Sequence, residues 1–99
     1  MFALIIQSKQ VKACGGSILT EAGKKFLVCN EPSGWIPATG SPFTGNIGGD
    51  AKIFSSFEEA EWFAKNWQGH PWYVRPGKRF EVIEVKPKFK QIPDGYEPV

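Results

Sequence analysis

The sequence predicts an α+β fold, in which an antiparallel sheet of four to five strands packs one face against a single amphipathic helix. Three observations predict it: a continuous apolar run at residues 2–7, helical spacing of apolar residues over 53–69, and short apolar runs bounded by glycine and proline elsewhere. Ninety-nine residues with 41% apolar content suit one compact domain, so we expect residues 1–99 to form a single domain.

The first strands are predicted from apolar runs. Residues 2–7 are rich in isoleucine and leucine without alternation, which is typical of a central strand buried on both faces. A weaker strand is expected over residues 11–14, before the turn that Gly15 and Gly16 favour. Residues 25–30 form a second clear strand, which we expect to pair antiparallel with the first strand or with residues 18–20.

Residues 31–50 are predicted to form one long loop. Proline and glycine are too dense there for a helix or a regular strand. Long loops inside a compact domain are usually functional or mobile. Four apolar residues punctuate the segment and are expected to hold it against the core: Trp35, Ile36, Phe43 and Ile47.

The helix is predicted from its two end signals. Ser56 with Glu59 forms a capping box, and Gly69 followed by Pro71 supplies the stop. At 100° per residue, one arc of the helix is apolar and is expected to face the core; it contains Phe57, Ala60, Phe63, Ala64 and Trp67.

Trp62 falls on the other side of this helix, about 140° from Phe57. It shares that side with polar residues, among them Glu58 and Lys65. We therefore predict that Trp62 is exposed, and a large exposed aromatic side chain is typical of a surface that a partner or another part of the chain covers.

After the helix, the sequence predicts a hairpin and a tail. Residues 72–74 and 79–86 are the strands, and Pro76 with Gly77 is the turn. The apolar parity switches between Val82 and Ile83, which indicates either a bulge or a strand covered on both faces. Residues 87–99 contain several prolines and are expected to form an extended tail.

Composition restricts the partners and the location only loosely. The formal charge of +2 is too weak to indicate nucleic acid by itself. The apolar run at residues 2–6 is too short for a membrane span and lacks the features of a signal peptide, so we expect a soluble cytoplasmic protein without membrane contact. Cys14 and Cys29 are expected to be free buried thiols rather than a disulfide.

No motif in the sequence indicates catalysis. His70 is the one histidine, and its place between Gly69 and Pro71 favours a turn role over that of a general base. A metal site would draw on Cys14, Cys29, His70 and Asp50, but no ligand spacing supports it. Residues 45–50 are glycine-rich yet lack the ending of a phosphate loop. We expect no enzyme activity, cofactor or metal.

Two binding functions remain open. In the first, a protein partner binds a surface formed by Trp62, Glu58, Lys65, Trp35 and Phe43. The competing interpretation is that the loop, the tail or a second copy in a homodimer covers Trp62. In the alternative function, Phe89 stacks on single-stranded nucleic acid beside Lys86, Lys88 and Lys90. An edge strand that lysines protect from unwanted pairing would have the same pattern.

Residues 51–64 contain the pattern Phe54-Ser-Ser-Phe-Glu-Glu-Ala60 just before and inside the predicted helix. This segment resembles the helix-leading segment of small orphan proteins of phages and prophages. The resemblance implies a compact α+β domain in which the helix lies between strands. It also implies a viral protein that binds a host macromolecule, for instance as an inhibitor of a nuclease-based defence complex, and it transfers no functional residue.

Overall fold

The computed structural model describes residues 1–30, 39–66, 76–88 and 95–99, and these form an α+β fold with a helix packed on a curled antiparallel sheet. The predicted fold class is confirmed. The elements are β1 (Phe2–Ser8), β2 (Val11–Lys12), β3 (Ile18–Thr20), β4 (Lys25–Cys29), β5 (Thr39–Pro42), α1 (Phe57–Asn66), β6 (Pro76–Pro87) and β7 (Tyr96–Pro98). The five-stranded sheet has the order β5-β4-β1-β6-β7, and β2 pairs with β3 alone. In the described part of the chain no helix has the length and apolar character that a membrane span requires.

The central strand is β1, as predicted. It pairs antiparallel with β4 on one side and with β6 on the other. Both faces of β1 are covered, because four consecutive side chains are buried: Ala3, Leu4, Ile5 and Ile6. A strand buried on both faces does not alternate between apolar and polar residues, which explains its continuous apolar run.

The sheet has a core cluster on each face, because consecutive side chains of a strand point to opposite sides. The cluster beneath α1 consists of Leu4, Ile6, Phe26, Val28, Phe54 and Ala60. The cluster on the other face consists of Ala3, Ile5, Leu27, Cys29, Ile47, Ala51 and Val85. Strand β6 serves both, since Phe80 and Val82 pack on the first and Ile83 and Val85 on the second. The register of β6 with β1 is continuous there, so the parity switch reflects two covered faces.

The segment before the helix, residues 51–54, inserts between β4 and β1 where these strands separate. On one side the Lys52 amide donates to the Val28 carbonyl at 3.0 Å. On the other side Phe54 and Phe2 exchange two backbone hydrogen bonds of 2.9 and 3.0 Å. The segment thus joins two strands of the sheet and fixes the point from which α1 starts.

The prediction of a single loop over residues 31–50 is wrong at residues 39–42. Strand β5 lies within that segment and pairs antiparallel with β4, placing Gly40 opposite Val28 and Pro42 opposite Phe26. β5 is an edge strand, and proline is compatible with an edge because only one side of the strand is paired. Residues 31–38, with Trp35 and Ile36, lie outside the described residues.

The predicted turn at Pro76 and Gly77 is also wrong, because both residues belong to β6 and Pro76 pairs with Ser8. Gly77 serves a different purpose there. A Cβ atom at Gly77 would lie 2.8 Å from the carbonyl oxygen of Gln7, so the glycine allows two backbones to approach beside a register shift in β1. The predicted strand at residues 72–74 and the predicted helix stop at Gly69 lie outside the described residues.

The tail predicted for residues 87–99 contains the last strand of the sheet. Strand β7 pairs antiparallel with the end of β6, with Tyr96 opposite Pro87 and Pro98 opposite Val85. Tyr96 also forms an isolated bridge with Ile47, and its amide donates to the Ile47 carbonyl at 2.8 Å. Several prolines in a segment therefore did not prevent pairing at an edge of the sheet.

Between β1 and β4 the chain forms a separate two-stranded ribbon, which we call the arm and define as residues 9–24. Strands β2 and β3 pair with each other, and the described helix and other strands make few contacts with them. The turn of the arm is closed by a 2.8 Å bond from the Ala13 amide to the Ser17 carbonyl, and Gly16 adopts a φ of +88°. The arm is thus joined to the body mainly through its two ends.

Candidate functional site

Helix α1 begins with a cap close to the predicted one. The Glu59 amide donates to Ser56 Oγ at 3.1 Å, and the Ala60 amide donates to the Ser56 carbonyl at 3.2 Å. The Glu59 carboxylate accepts from the hydroxyl of Ser55 at 2.6 Å, whereas the capping box predicts the amide of Ser56 as donor. Two serines therefore share the cap, and the start of the helix is fixed.

The inner face of α1 packs on the sheet through Ala60, which is fully buried, and through Phe63 and Ala64, which are half-buried. The Phe63 ring lies 5.3 Å from the Phe54 ring. The ammonium group of Lys52 lies 5.4 Å from the centroid of Phe63 and 5.5 Å from that of Phe54, so a cation also contacts both rings. These contacts confirm the predicted core face at these positions. Trp67 lies outside the described residues.

The prediction that Phe57 belongs to the core face is wrong, because its side chain is 46% exposed. Phe57 is the first residue of α1, and its ring meets the edge of Phe2 at a centroid distance of 6.4 Å. A residue at the end of a helix and at the border of its apolar arc reaches only the rim of the core.

Trp62 is 66% exposed, as the helical spacing predicts. Glu58, one turn earlier, and Lys65, one turn later, are also exposed on the outward side of α1. We call this surface the Trp62 face and define it as Glu58, Glu61, Trp62 and Lys65. The Asn66 side chain donates to the Trp62 carbonyl at 2.8 Å and so satisfies a carbonyl of the last turn.

The Trp62 face is acidic. Lys65 Nζ lies 3.7 Å from Glu61 Oε1, an exposed pair one turn apart that offsets both charges. Glu58, one turn from the indole, forms no ion pair within the described residues. The Glu59 carboxylate, held by Ser55, borders the same surface. An exposed indole thus lies among three carboxylates and one ammonium group.

Of the two loop residues proposed as companions of Trp62, the structure describes one. Phe43 is half-buried and packs on the core cluster that lies on the sheet face away from α1. Ile47 is buried in that same cluster. Both placements agree with the expectation that the loop is held against the core, and Phe43 is not brought next to Trp62 by these contacts. Trp35 lies outside the described residues.

The lysine patch of the alternative function is described only in part. Lys86 Nζ lies 3.6 Å from Glu97 Oε1 across the β6–β7 pair, and Lys88 is exposed. The pairing with Glu97 offsets the positive charge that Lys86 would offer to a phosphate. Phe89 and Lys90 lie outside the described residues.

The two cysteines are free and have different environments. Cys29 is buried, as predicted, and its Sγ lies 3.5 Å from both the Leu27 carbonyl and Ser41 Oγ. Cys14 is exposed in the turn of the arm, so the prediction of a buried thiol is wrong there. Gly15 and Gly16 beside it supply no side chain that would cover it. Within the described residues, no three His, Cys, Asp or Glu residues are grouped closely enough to hold a metal ion.

We expect the two thiols to differ in how readily a reagent reaches them. Burial raises the pKa of the Cys29 thiol above its ordinary value of 9.0, with a further rise from the Asp50 carboxylate and an opposing hydrogen bond from Ser41. A disulfide-exchange reagent at mildly alkaline pH should therefore label Cys14 in the native chain and Cys29 only after denaturant is added. Labelling of both thiols at equal rates without denaturant would contradict this placement.

The raised pKa of Cys29 also fixes the sign of a pH effect. As the pH rises above about 9, the unfolded chain loses this thiol proton before the folded chain does, so stability falls. Below that pH both states keep the proton and Cys29 contributes no slope. Urea unfolding of wild type and Cys29→Ala at pH values on both sides of about 9 measures this effect. We expect the free energy of unfolding to fall less steeply with pH in the variant than in wild type. Equal slopes would contradict the assignment.

The sequence pattern does not indicate the arm as a candidate surface. Ile18 and Leu19 are 48% and 41% exposed there. Neighbouring residues of a strand point to opposite faces, so one of two adjacent large apolar residues in a ribbon must face away from any single core. The available signal in the sequence is the pair of adjacent apolar residues, Ile18 and Leu19, which lies between a glycine pair and a charged turn.

Comparisons with protein-family models, with curated proteins and with solved structures found no match to this chain.

Proposed function

We propose that the chain is a non-catalytic protein-binding module whose recognition surface is the Trp62 face. The observation that carries the proposal is an indole that is 66% exposed on a helix whose opposite face is packed in the core. Tryptophan is the side chain most enriched among the residues that dominate binding energy at protein interfaces. Its burial by a partner would remove a large apolar area from water.

The surroundings of Trp62 support recognition because they hold the surface in place before any partner arrives. The serine cap fixes the first turn of α1, Asn66 bonds the last turn, and the inner face is packed against Phe54. A surface on a rigid element loses little conformational freedom when it binds. The exposed Glu58 and Lys65 would form the polar rim around the indole.

The finer part of the proposal concerns the kind of partner. The resemblance of residues 51–64 to phage and prophage proteins supports a viral protein that binds or inhibits a host macromolecular complex, such as a nuclease-based defence system, in the cytoplasm of the host. Glu58, Glu61 and Trp62 of the Trp62 face lie within that segment of the sequence, and Lys65 directly follows it. We propose this role as the biological context of the binding module.

Trp62→Ala is expected to leave stability nearly unchanged while it weakens the partner complex. An exposed side chain contributes little to the core, so the free energy of unfolding should change by less than about 0.5 kcal/mol. Loss of an interface tryptophan costs about 2 kcal/mol or more, which is roughly a 30-fold weaker Kd. The measurement is quantitative capture from an extract of the organism that makes the chain, followed by titration of the purified partner.

The matched control is Val99→Ala, which truncates an apolar side chain that is also exposed and lies in sequence far from α1. Capture should be retained by this variant and lost by Trp62→Ala. Equal capture by all three proteins would overturn the proposal. Collapse of the fold in Trp62→Ala would do so as well, because the indole would then serve the chain's own core.

A further inference from the structure

The arm and the Trp62 face are two uncovered surfaces on one chain. Ile18 and Leu19 are the large apolar side chains that the arm exposes, and Trp62 is the one that the outward side of α1 exposes. A two-stranded ribbon gains little stability from itself, so the arm benefits from a surface that covers it. Within the described residues, neither surface is covered by the rest of its own chain.

The two surfaces carry opposite charge. In the arm, Lys9, Lys12 and Lys24 are exposed, and Glu21 is the one acidic residue. Helix α1 contains three glutamates and one basic residue, Lys65, which is itself paired with Glu61. Glu58, one helical turn before Trp62, lacks an ion pair within the described residues. Complementary charge around complementary apolar groups favours association and fixes its register.

We infer that two copies of this chain form a reciprocal dimer, in which the arm of each copy packs on the Trp62 face of the other. One of the two neighbouring apolar side chains, Ile18 or Leu19, covers the indole, and the arm lysines approach the carboxylates of α1. The inference rests on the proposed function, because it places a second copy of the chain on the same site, from which another protein partner would have to displace it. Both halves of the complementary pair are present on every molecule, so no other component is required.

Two-fold symmetry doubles the area of the contact. One indole against one aliphatic side chain is a small contact, well below the roughly 1,200 Å² that a stable interface buries. A two-fold axis forms the same contact twice and closes the assembly at two copies. A single contact of this kind, repeated head to tail, would instead give open chains.

The test exchanges the charges on one surface at a time. The helix variant carries Glu58→Lys and Glu61→Lys, and the arm variant carries Lys9→Glu and Lys12→Glu. Each variant alone should associate at least about 10-fold more weakly than wild type, because like charges now face each other in both contacts. An equimolar mixture should regain the dimer, since each contact in the mixed pair again joins opposite charges.

Sedimentation equilibrium at about 100 µM, a concentration that populates a dimer of micromolar Kd, reads the result. Wild type should show twice the monomer mass of 11.0 kDa and should dissociate as salt is added. Thermal unfolding midpoints confirm that both variants fold. A third variant, which carries Ile18→Thr and Leu19→Thr, tests the apolar half of the arm independently and should also be monomeric.

A monomeric wild type, open chains, or a mixture of variants that stays monomeric would overturn the dimer. Those outcomes leave the proposed function in place if Trp62-dependent capture of another protein persists. Loss of any Trp62 dependence in the capture experiment would instead overturn the proposed function, whatever the mass in solution.

Discussion

Replacing Phe54 with alanine is expected to lower the free energy of unfolding by about 3–5 kcal/mol. Phe54 has the largest fully buried side chain in the described core. Its ring packs against Phe63 from α1 and against the ammonium group of Lys52. Removal of the ring would leave a cavity between helix and sheet, and it would also remove one of the two rings that Lys52 contacts.

The matched control is Phe54→Leu, which keeps most of the apolar volume and should cost less than about 1.5 kcal/mol. Both variants retain the two backbone hydrogen bonds with Phe2, because these bonds use no side-chain atom. Urea unfolding measures the difference in the free energy of unfolding between the two variants. An unchanged slope of that free energy against urea concentration would show that the native state is still compact. A loss below about 1 kcal/mol in Phe54→Ala would contradict the placement of this ring.

Gly95→Ala is expected to destabilise the chain by more than about 2 kcal/mol. Gly95 adopts a φ of +116°, a backbone conformation that side chains with a Cβ rarely tolerate. A Cβ atom there would also overlap with the Ile47 carbonyl oxygen and lie 3.1 Å from the Gly48 Cα. Both neighbours are backbone atoms, so they cannot move aside as a flexible side chain would.

Gly16→Ala separates the two causes, because Gly16 also has a positive φ but nothing would lie within 4 Å of its new Cβ. Gly16→Ala should lower the free energy of unfolding by only about 1–2 kcal/mol, which is the part that comes from the backbone conformation alone. Thermal and urea unfolding of both variants give the comparison. Equal losses would mean that the close approach of Gly95 to Ile47 has no energetic weight.

The elements that the sequence predicts well are those with a strong local pattern. Strand β1 is recognisable because its apolar run is continuous, and α1 because Ser56 caps it and its apolar residues repeat at helical spacing. The exposure of Trp62 follows from the same spacing, since the phase of a helix fixes which side chains share a face. The fold class and the centre of the candidate site were therefore accessible from neighbouring residues alone.

The elements that the sequence does not predict depend on partners far along the chain. β5 and β7 are short edge strands that contain proline, and each becomes a strand only because β4 or β6 presents a free edge. Gly77 resembles a turn glycine until the Gln7 carbonyl is found beside it. Phe57 lies at the border of the apolar arc, where burial depends on how the helix seats on the sheet.

The position of β1 has a consequence for how the chain acquires its structure. Its partner β4 follows soon after it, but its other partner, β6, lies near the opposite end of the sequence. Pairing between distant segments slows folding, and domains rich in such pairs typically need milliseconds to seconds. During synthesis one side of this apolar strand stays unprotected until β6 leaves the ribosome, which makes the nascent chain the stage most exposed to aggregation and to chaperone binding.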